Sequence, residues 1–257
     1  MAPIHFELKD SVGIITLNRP DKLNSFNRQM ALLMQEKLDE CKNDKVRCVY
    51  ITGAGRAFSA GQDLSEVTEP GGPGFNVILS EHYNPIVSRI RKLEKPVVAA
   101  VNGVAAGAGA NIALCSDIIV ASSSASFIQA FSRIGLIPDS GGTYMLPRLI
   151  GWQKAAGLMM LGEKISAEEA EKIGMIYKMI PDEKFPRESM SIAKTLAEMA
   201  TRGLAFTKQL LNISMHSSFE EQIHEEDVFQ QRAAQTEDYK EGVNAFLEKR
   251  SPKFRGQ

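Results

Sequence analysis

The chain has 257 residues, 44% of them hydrophobic, and sets 30 basic against 31 acidic side chains for a net charge of −1. That length buries a sizeable core, either one large domain or a core with a smaller appendage. The balanced charge leaves no surplus of cations to neutralise a phosphate backbone, which argues against nucleic acid as a partner.

Cys41, Cys48 and Cys115 form no even framework and no C-x-x-C pair, and they sit in or beside apolar runs as free thiols do in a reducing cytoplasm. The charged start MAPIHFELKD holds no signal-peptide core, and nowhere do eighteen apolar residues run together. A soluble, cytoplasmic chain with no membrane partner is expected.

Alternation in Ile4, Phe6 and Leu8, then an apolar run from Val12 to Leu17, predicts two strands joined by a turn at Lys9-Asp10-Ser11. Residues 26–42 place Met30, Leu33, Met34, Leu38 and Cys41 on one helical stripe, with Asn24 or Ser25 as the cap. Val46–Thr52 and Val97–Val101 read as continuous apolar strands, separated by a helix around residues 78–93. Two further apolar runs, Asp117–Ala121 and Gly174–Ile180, follow helical stretches at 107–115 and 166–173. This alternation predicts an α/β core with largely parallel strands. Residues 66–76, rich in Gly and Pro, read as a surface loop. Beyond about residue 186 helical periods dominate, so the boundary is placed between a core at 1–190 and a helical region at 191–257. Phe219–Ala234, with Phe219, Ile223, Val228 and Phe229 among many charges, fits a packed C-terminal helix and a subunit-contact helix equally well.

Three segments could carry chemistry. Gly53–Leu64, GAGRAFSAGQDL, follows a predicted strand; its small residues admit a ligand to the backbone, and Asp63 can hold the turn. Taken alone it reads more readily as an ordinary strand-to-helix turn, and it is no dinucleotide fingerprint because Phe58 stands where the third glycine belongs. Val101–Leu114, VNGVAAGAGANIAL, leaves the first amides of a helix uncovered by side chains, an arrangement that suits an oxyanion; close helix packing is the alternative. In Ser132–Arg148, SRIGLIPDSGGTYMLPR, Asp139 lies among apolar residues that would raise its pKa toward the range useful for proton transfer, unless it is a helix cap. The four histidines make no zinc spacing and there is no G-x-S-x-G elbow, so neither a metal site nor a serine nucleophile is expected.

Together with NRPDKLNSF at 18–26, KPVVAAVNGVAAGAGA at 95–110, SDIIVAS at 116–122 and GLIPDSGGT at 135–143, these segments resemble the crotonase (enoyl-CoA hydratase/isomerase) superfamily from Ile4 to Phe254. The resemblance implies a spiral of ββα units with a helical C-terminal part, assembled as a trimer or dimer of trimers. It implies an acyl-CoA thioester substrate, with no cofactor beyond the CoA that the substrate carries. The main-chain N–H groups of Gln62 and Ala108 would form the oxyanion hole. Lys22, Leu23, Ala60, Asp63 and Leu64 would line the CoA channel, and Phe246 and Lys249 would touch CoA, sometimes from a neighbouring subunit. The two glutamates of family hydratases correspond to Asn111 and Phe131, neither of them a general base, whereas Asp139 stands where several family isomerases place an acid/base carboxylate. The expectation is therefore an isomerase, most similar to the phenylacetate-degradation group that converts 1,2-epoxyphenylacetyl-CoA to the oxepin. The rivals are an enoyl-CoA hydratase, an aryl-CoA dehalogenase (which carries a tryptophan at the position of Phe131) and a non-catalytic acyl-CoA-binding subunit.

Overall fold

A computed structural model describes residues 2–68 and 71–257. The first hairpin pairs β1 (Ile4–Lys9) with β2 (Val12–Leu17) antiparallel, Ile4 opposite Leu17 and Lys9 opposite Val12. Its two-residue turn holds Asp10 and Ser11 at positive φ, as a tight hairpin between right-twisted strands requires. Then α1 (Arg28–Glu40) lays Met30, Met34 and Leu38 on the core, with Leu33 partly buried. The cap is Asn27, whose side chain accepts from Met30 N at 3.0 Å. Asn24 and Ser25, the expected caps, are buried instead in the loop that precedes it.

From here the chain repeats one step. A long strand enters a first sheet, a short strand enters a second, and a helix follows. The long strands are β3 (Cys48–Gly53), β5 (Val97–Val101) and β7 (Ile118–Ser122); the short ones are β4 (Ala57–Ser59), β6 (Val104–Ala106) and β8 (Ser126–Ile128). The first sheet runs β1-β2-β3-β5-β7-β10, with β10 at Lys178–Ile180, and the second runs β4-β6-β8-β9, with β9 at Lys164–Ser166. The neighbours β2-β3-β5-β7-β10 are parallel. All five residues of β5 are fully buried, so both sheet faces are covered and the strand reads as an unbroken apolar run rather than an alternation. The result is a ββα spiral. The short strands were not predicted, because three residues are too few to show a period of two. The run 174–180 forms a strand only over its last three residues.

The connecting helices are α2 (Leu64–Thr68), a single turn α3 (Phe75–Val77), a π-helical stretch at Ile78–Tyr83 continued by α4 (Asn84–Lys92), α5 (Ala108–Leu114), α6 (Gly142–Ile150), α7 (Trp152–Leu161) and α8 (Ala167–Lys172). Residues 66–68 and 75–76 of the expected surface loop are thus helical, while Glu69 and Pro70 lie outside the described residues.

The C-terminal part holds α9 (Phe185–Glu198), α10 (Thr201–Ile213), α11 (Phe219–Ala234) and α12 (Glu237–Leu247). α9 runs across position 190 and covers the outer face of the first sheet, where Phe185, Ala193 and Ala197 pack on Val12, Tyr50, Val98 and Val120. α11 begins with a full capping box, Ser218 to Glu221. Of its apolar residues Phe219, Ile223, Val228 and Phe229, only Phe229 is buried within the chain. Among the described residues, no helix is long and apolar enough to cross a membrane.

Candidate active site

The site grows from the loop after β2. Leu23 and Asn24 both take positive φ, and the Asn24 side chain, fully buried, gathers the surroundings: it donates to the carbonyls of Ala54 (2.9 Å) and Ala57 (2.8 Å) and accepts from Arg19 N (2.8 Å). Its own carbonyl accepts from Ser59 Oγ at 2.8 Å, and Leu23 O accepts from Ala60 N at 2.9 Å. One residue pair further, Phe26 bridges Gln62 in parallel fashion, through Phe26 N to Gly61 O at 2.7 Å and Asp63 N to Phe26 O at 2.8 Å. These bonds use the carbonyl before Gln62 and the N–H after it. Among the described residues, no acceptor meets the N–H of Gln62 itself.

A second donor comes from the turn between β6 and α5. Gly107, at φ +53° and ψ −129°, is the N-cap, and Ala108 is the first residue of a wholly buried helix. Its N–H likewise meets no acceptor among the described residues. Glycines bring the two segments together. A Cβ on Gly61, which sits at φ +88°, would lie 2.9 Å from Ala106 O and 3.3 Å from Ala108 N; one on Gly109 would lie 2.5 Å from Ser59 O. Unpaired main-chain donors on touching segments are what an oxyanion needs, and leaving a buried donor unpaired costs about 1–3 kcal/mol until a ligand takes it.

Asp139 stands between a 3₁₀ turn (Ala130–Ile134) and α6, half-buried. It does not cap α6, whose N-cap Gly141 offers no side-chain bond. Its carbonyl accepts from Gly142 N and from Asn111 Nδ2, both at 2.8 Å, and its Oδ1 accepts from Ser140 Oγ at 2.7 Å. Asn111 lies on α5, one turn beyond Ala108, so a single helix both presents the unpaired Ala108 N–H and holds the carbonyl of Asp139. Burial raises the Asp139 pKa above the ordinary carboxyl value, while the Ser140 bond opposes that rise.

Tyr83, at the end of the π-helical stretch, is fully buried and donates its hydroxyl to Gln62 Oε1 at 2.9 Å. Burial pushes its phenol well above the usual value, and the negative charges of Asp139, Glu66 and Asp63 push the same way. Phe131, also buried, closes a wall: its ring edge is 3.7 Å from where a Gly107 Cβ would be.

The family profile described as enoyl-CoA hydratase/isomerase matches residues 7–257. The chain belongs to the enoyl-CoA hydratase/isomerase family. It is 46% identical over 254 residues to the 1,2-epoxyphenylacetyl-CoA isomerase of Escherichia coli K12, covering 97% of each chain. It is 40% identical to a probable enoyl-CoA hydratase of Rhodobacter capsulatus, over 99% of this chain and 98% of the relative. An enoyl-CoA hydratase structure from Bacillus anthracis superposes with a TM-score of 0.95 at 30% identity, over 99% of this chain and 100% of that one.

Within this family member, the fold brings Lys22, Leu23, Ala60, Gln62, Asp63 and Leu64 together through the bonds from Leu23 O and Phe26. Lys22 and Leu64 are exposed. Asp63 is paired with Arg19 at 2.8 Å; burial pushes its carboxyl up, and the bonds from Ser65 and Arg19 more than offset this and hold it below the ordinary value. Phe246 and Lys249 are not brought to this group. Phe246 is 81% exposed. The tail that follows folds back on its own helices and on Arg47, with Gly256 N and Arg255 N bonded to Asp238 and Phe254 O accepting from Arg47 Nη1. Arg47 precedes β3, whereas the site lies beyond the far end of that strand, six residues or about 20 Å away.

Asn111 and Phe131, where hydratases of the family carry glutamates, are both buried, and neither can exchange a proton. The Asn111 amide is engaged at both ends, donating to Asp139 O and accepting from Gln129 Nε2 at 2.8 Å. Sequence reading missed Asn24, Tyr83 and Ser140. Each acts through a partner distant in sequence or through a backbone conformation that residue type alone does not announce.

Proposed function

We propose that this chain is an acyl-CoA isomerase that works through a thioester enolate. One observation carries the reading. Of the three carboxylates whose charge acts on Tyr83, two are occupied at both oxygens: Asp63 by Ser65 and Arg19, and Glu66 by Arg28 N and Gln62 Nε2. Asp139 accepts at Oδ1 only, and among the described residues Oδ2 has no donor. A single desolvated carboxylate with one free oxygen, beside two unpaired amides, suits moving a proton along a substrate rather than splitting water, for which the family uses two glutamates.

The thioester oxygen takes the N–H groups of Gln62 and Ala108, donors worth roughly 3–4 kcal/mol each where charge develops. For a 3-enoyl-CoA, Asp139 Oδ2 removes a proton from C2, the amides hold the dienolate, and the same oxygen returns the proton at C4 to give the 2-enoyl thioester. Phe131 keeps water from the intermediate. With 1,2-epoxyphenylacetyl-CoA, Asp139 assists opening of the ring epoxide on the way to the oxepin. Lys22, Leu23, Ala60, Asp63 and Leu64 line the CoA channel. Phe246 and Lys249 reach a CoA bound to the next subunit of a trimer or dimer of trimers in the cytoplasm, which fits their position remote from their own chain's site.

The test is a panel of 3-enoyl-, 2-enoyl-, dienoyl- and 1,2-epoxyphenylacetyl-CoA, assayed with the wild type and Asp139→Ala. Isomerisation that disappears in the variant is expected. Rapid hydration of crotonyl-CoA, undiminished in the variant, would establish the hydratase alternative, and tight CoA binding with no turnover of any substrate would leave a non-catalytic binding subunit.

A further inference from the structure

Asp139, Ser140, Gly141 and Gly142 form a turn closed by Gly142 N to Asp139 O at 2.8 Å, with φ +52° at Ser140 and +76° at Gly141. Two successive positive φ values make it a type I′ turn, whose first central position favours Gly, Asn or Asp because a left-handed backbone crowds other side chains. Serine occupies that position here, and it is only 2% exposed. A strained, buried, non-glycine residue persists where its surroundings demand it, and such residues cluster at functional sites. The turn alone would be better served by Gly; what serine adds is the hydroxyl, which donates to Asp139 Oδ1 at 2.7 Å.

We infer that Ser140 is a positioning residue for Asp139: its hydroxyl occupies Oδ1, fixes the carboxylate plane, and leaves Oδ2 as the oxygen that exchanges protons with substrate. This rests on the isomerase reading. The turn is braced from the other side too. Asn111 Nδ2 holds Asp139 O, and Cys115 Sγ donates to Ser140 O at 3.5 Å, so the hydroxyl is presented from a fixed backbone. Because the bond favours the ionised form, it also keeps Asp139 a base against the burial that pushes its pKa up. Cys115, from the end of α5, touches this turn, and Arg91, Tyr144 and His216 line a cleft with its Gly141; the charge of Asp139 also acts on Tyr83, from the π-helical stretch. Burial pushes the Tyr83 phenol well up and the Cys115 thiol to about 12, so both stay neutral where Asp139 titrates.

Ser140→Gly keeps the turn and removes both hydroxyl and strain; Ser140→Ala removes the hydroxyl and keeps the strain. For both, the acid limb of the kcat profile should move to higher pH, with kcat down about tenfold and KM within about twofold, the scale of one lost hydrogen bond. In protein labelled with ¹³C at the aspartate carboxyls, the resonance missing from Asp139→Asn should titrate at higher pH in both Ser140 variants. This readout does not depend on turnover. If both variants lose activity with an unmoved limb and an unmoved carboxyl midpoint, Ser140 is merely structural and the inference fails while the isomerase reading stands. If Asp139→Asn retains full isomerisation, that reading fails first and takes the role of Ser140 with it.

Discussion

The hydroxyl of Tyr83 donates to Oε1 of Gln62 at 2.9 Å, while Gln62 Nε2 donates to Glu66 Oε2 at 3.0 Å. The side chain is thereby held at both ends, and the residue whose unpaired main-chain N–H is proposed to hold the thioester oxygen is fixed in place. This gives Gln62 a reason to be glutamine even though its side chain does no chemistry. It also gives the π-helical distortion at Ile78–Tyr83 a consequence, since irregular helical turns of this kind gather at functional sites.

Tyr83→Phe should therefore impair turnover more than binding. The ring still fills its place, but Gln62 Oε1 is left without its donor, a cost of about 1–3 kcal/mol. Steady-state kinetics should show kcat reduced about tenfold or more with the KM for acyl-CoA little changed, because the hole is matched to charge that develops after binding. A rise in KM at constant kcat would mean that Tyr83 shapes the acyl pocket instead.

Asp139→Asn should trade activity for stability, and the pH dependence gives the sign. The folded-state pKa of Asp139 is raised above the ordinary value of 3.8. Below 3.8 both folded and unfolded chains hold the proton, and the full contribution to stability is present. As pH rises from there through the folded-state pKa, the folded protein holds more protons than the unfolded, so stability falls; above that pKa the loss is complete. Asparagine has no charge to bury and keeps an Oδ1 for Ser140. Thermal denaturation should show the variant matching the wild type at acid pH and melting higher at pH 7, while its turnover of acyl-CoA is lost.

How much of this was legible in advance follows from the range of the interactions. β5 and α11 match their sequence reading residue for residue, the first because parallel neighbours bury both its faces, the second because Ser218 and Glu221 mark its start locally. Gln62 and Ala108 were assigned by resemblance and Asp139 first by its apolar neighbours, and the sequence alone left each segment with an ordinary structural alternative. Asn24 was legible only as a potential cap. Its actual work, tying Arg19, Ala54, Ala57 and Ser59 together, spans up to 35 residues and has no local signature. Ser140 had a signal that went unread: in P-D-S-G-G a tight turn is evident, and the residue before two glycines is a candidate for the left-handed region.

Gly61→Ala should open the oxyanion hole without touching any side chain of the site. Alanine at φ +88° is strained by about 1–2 kcal/mol, and its Cβ would stand 2.9 Å from Ala106 O, so the segments carrying Gln62 and Ala108 must part. Loss of one oxyanion donor costs about 100- to 1000-fold in kcat. Turnover assays should find a decrease of that size, with urea denaturation reporting a smaller loss of about 1–3 kcal/mol. Activity within threefold of the wild type would show that the two amides are not the groups that hold the oxygen.

Asn111→Glu, which restores a glutamate where hydratases of the family carry one, should not create a hydratase. Asn111 is fully buried, and a Cβ on Gly142 would fall inside its amide, so there is no room for another methylene. The carboxylate could not donate to Asp139 O, could not leave its charge solvated, and would lose its only counterpart on Phe131, which cannot share the positioning of water. Burying that charge unpaired and orphaning the Asp139 carbonyl should cost several kcal/mol, on the order of 3–5. Urea denaturation should show the loss, and crotonyl-CoA should remain unhydrated in whatever fraction stays folded. Efficient hydration by a stable Asn111→Glu protein would mean that α5 can shift away from Gly142, and that its grip on Asp139 is not what fixes the reaction this enzyme catalyses.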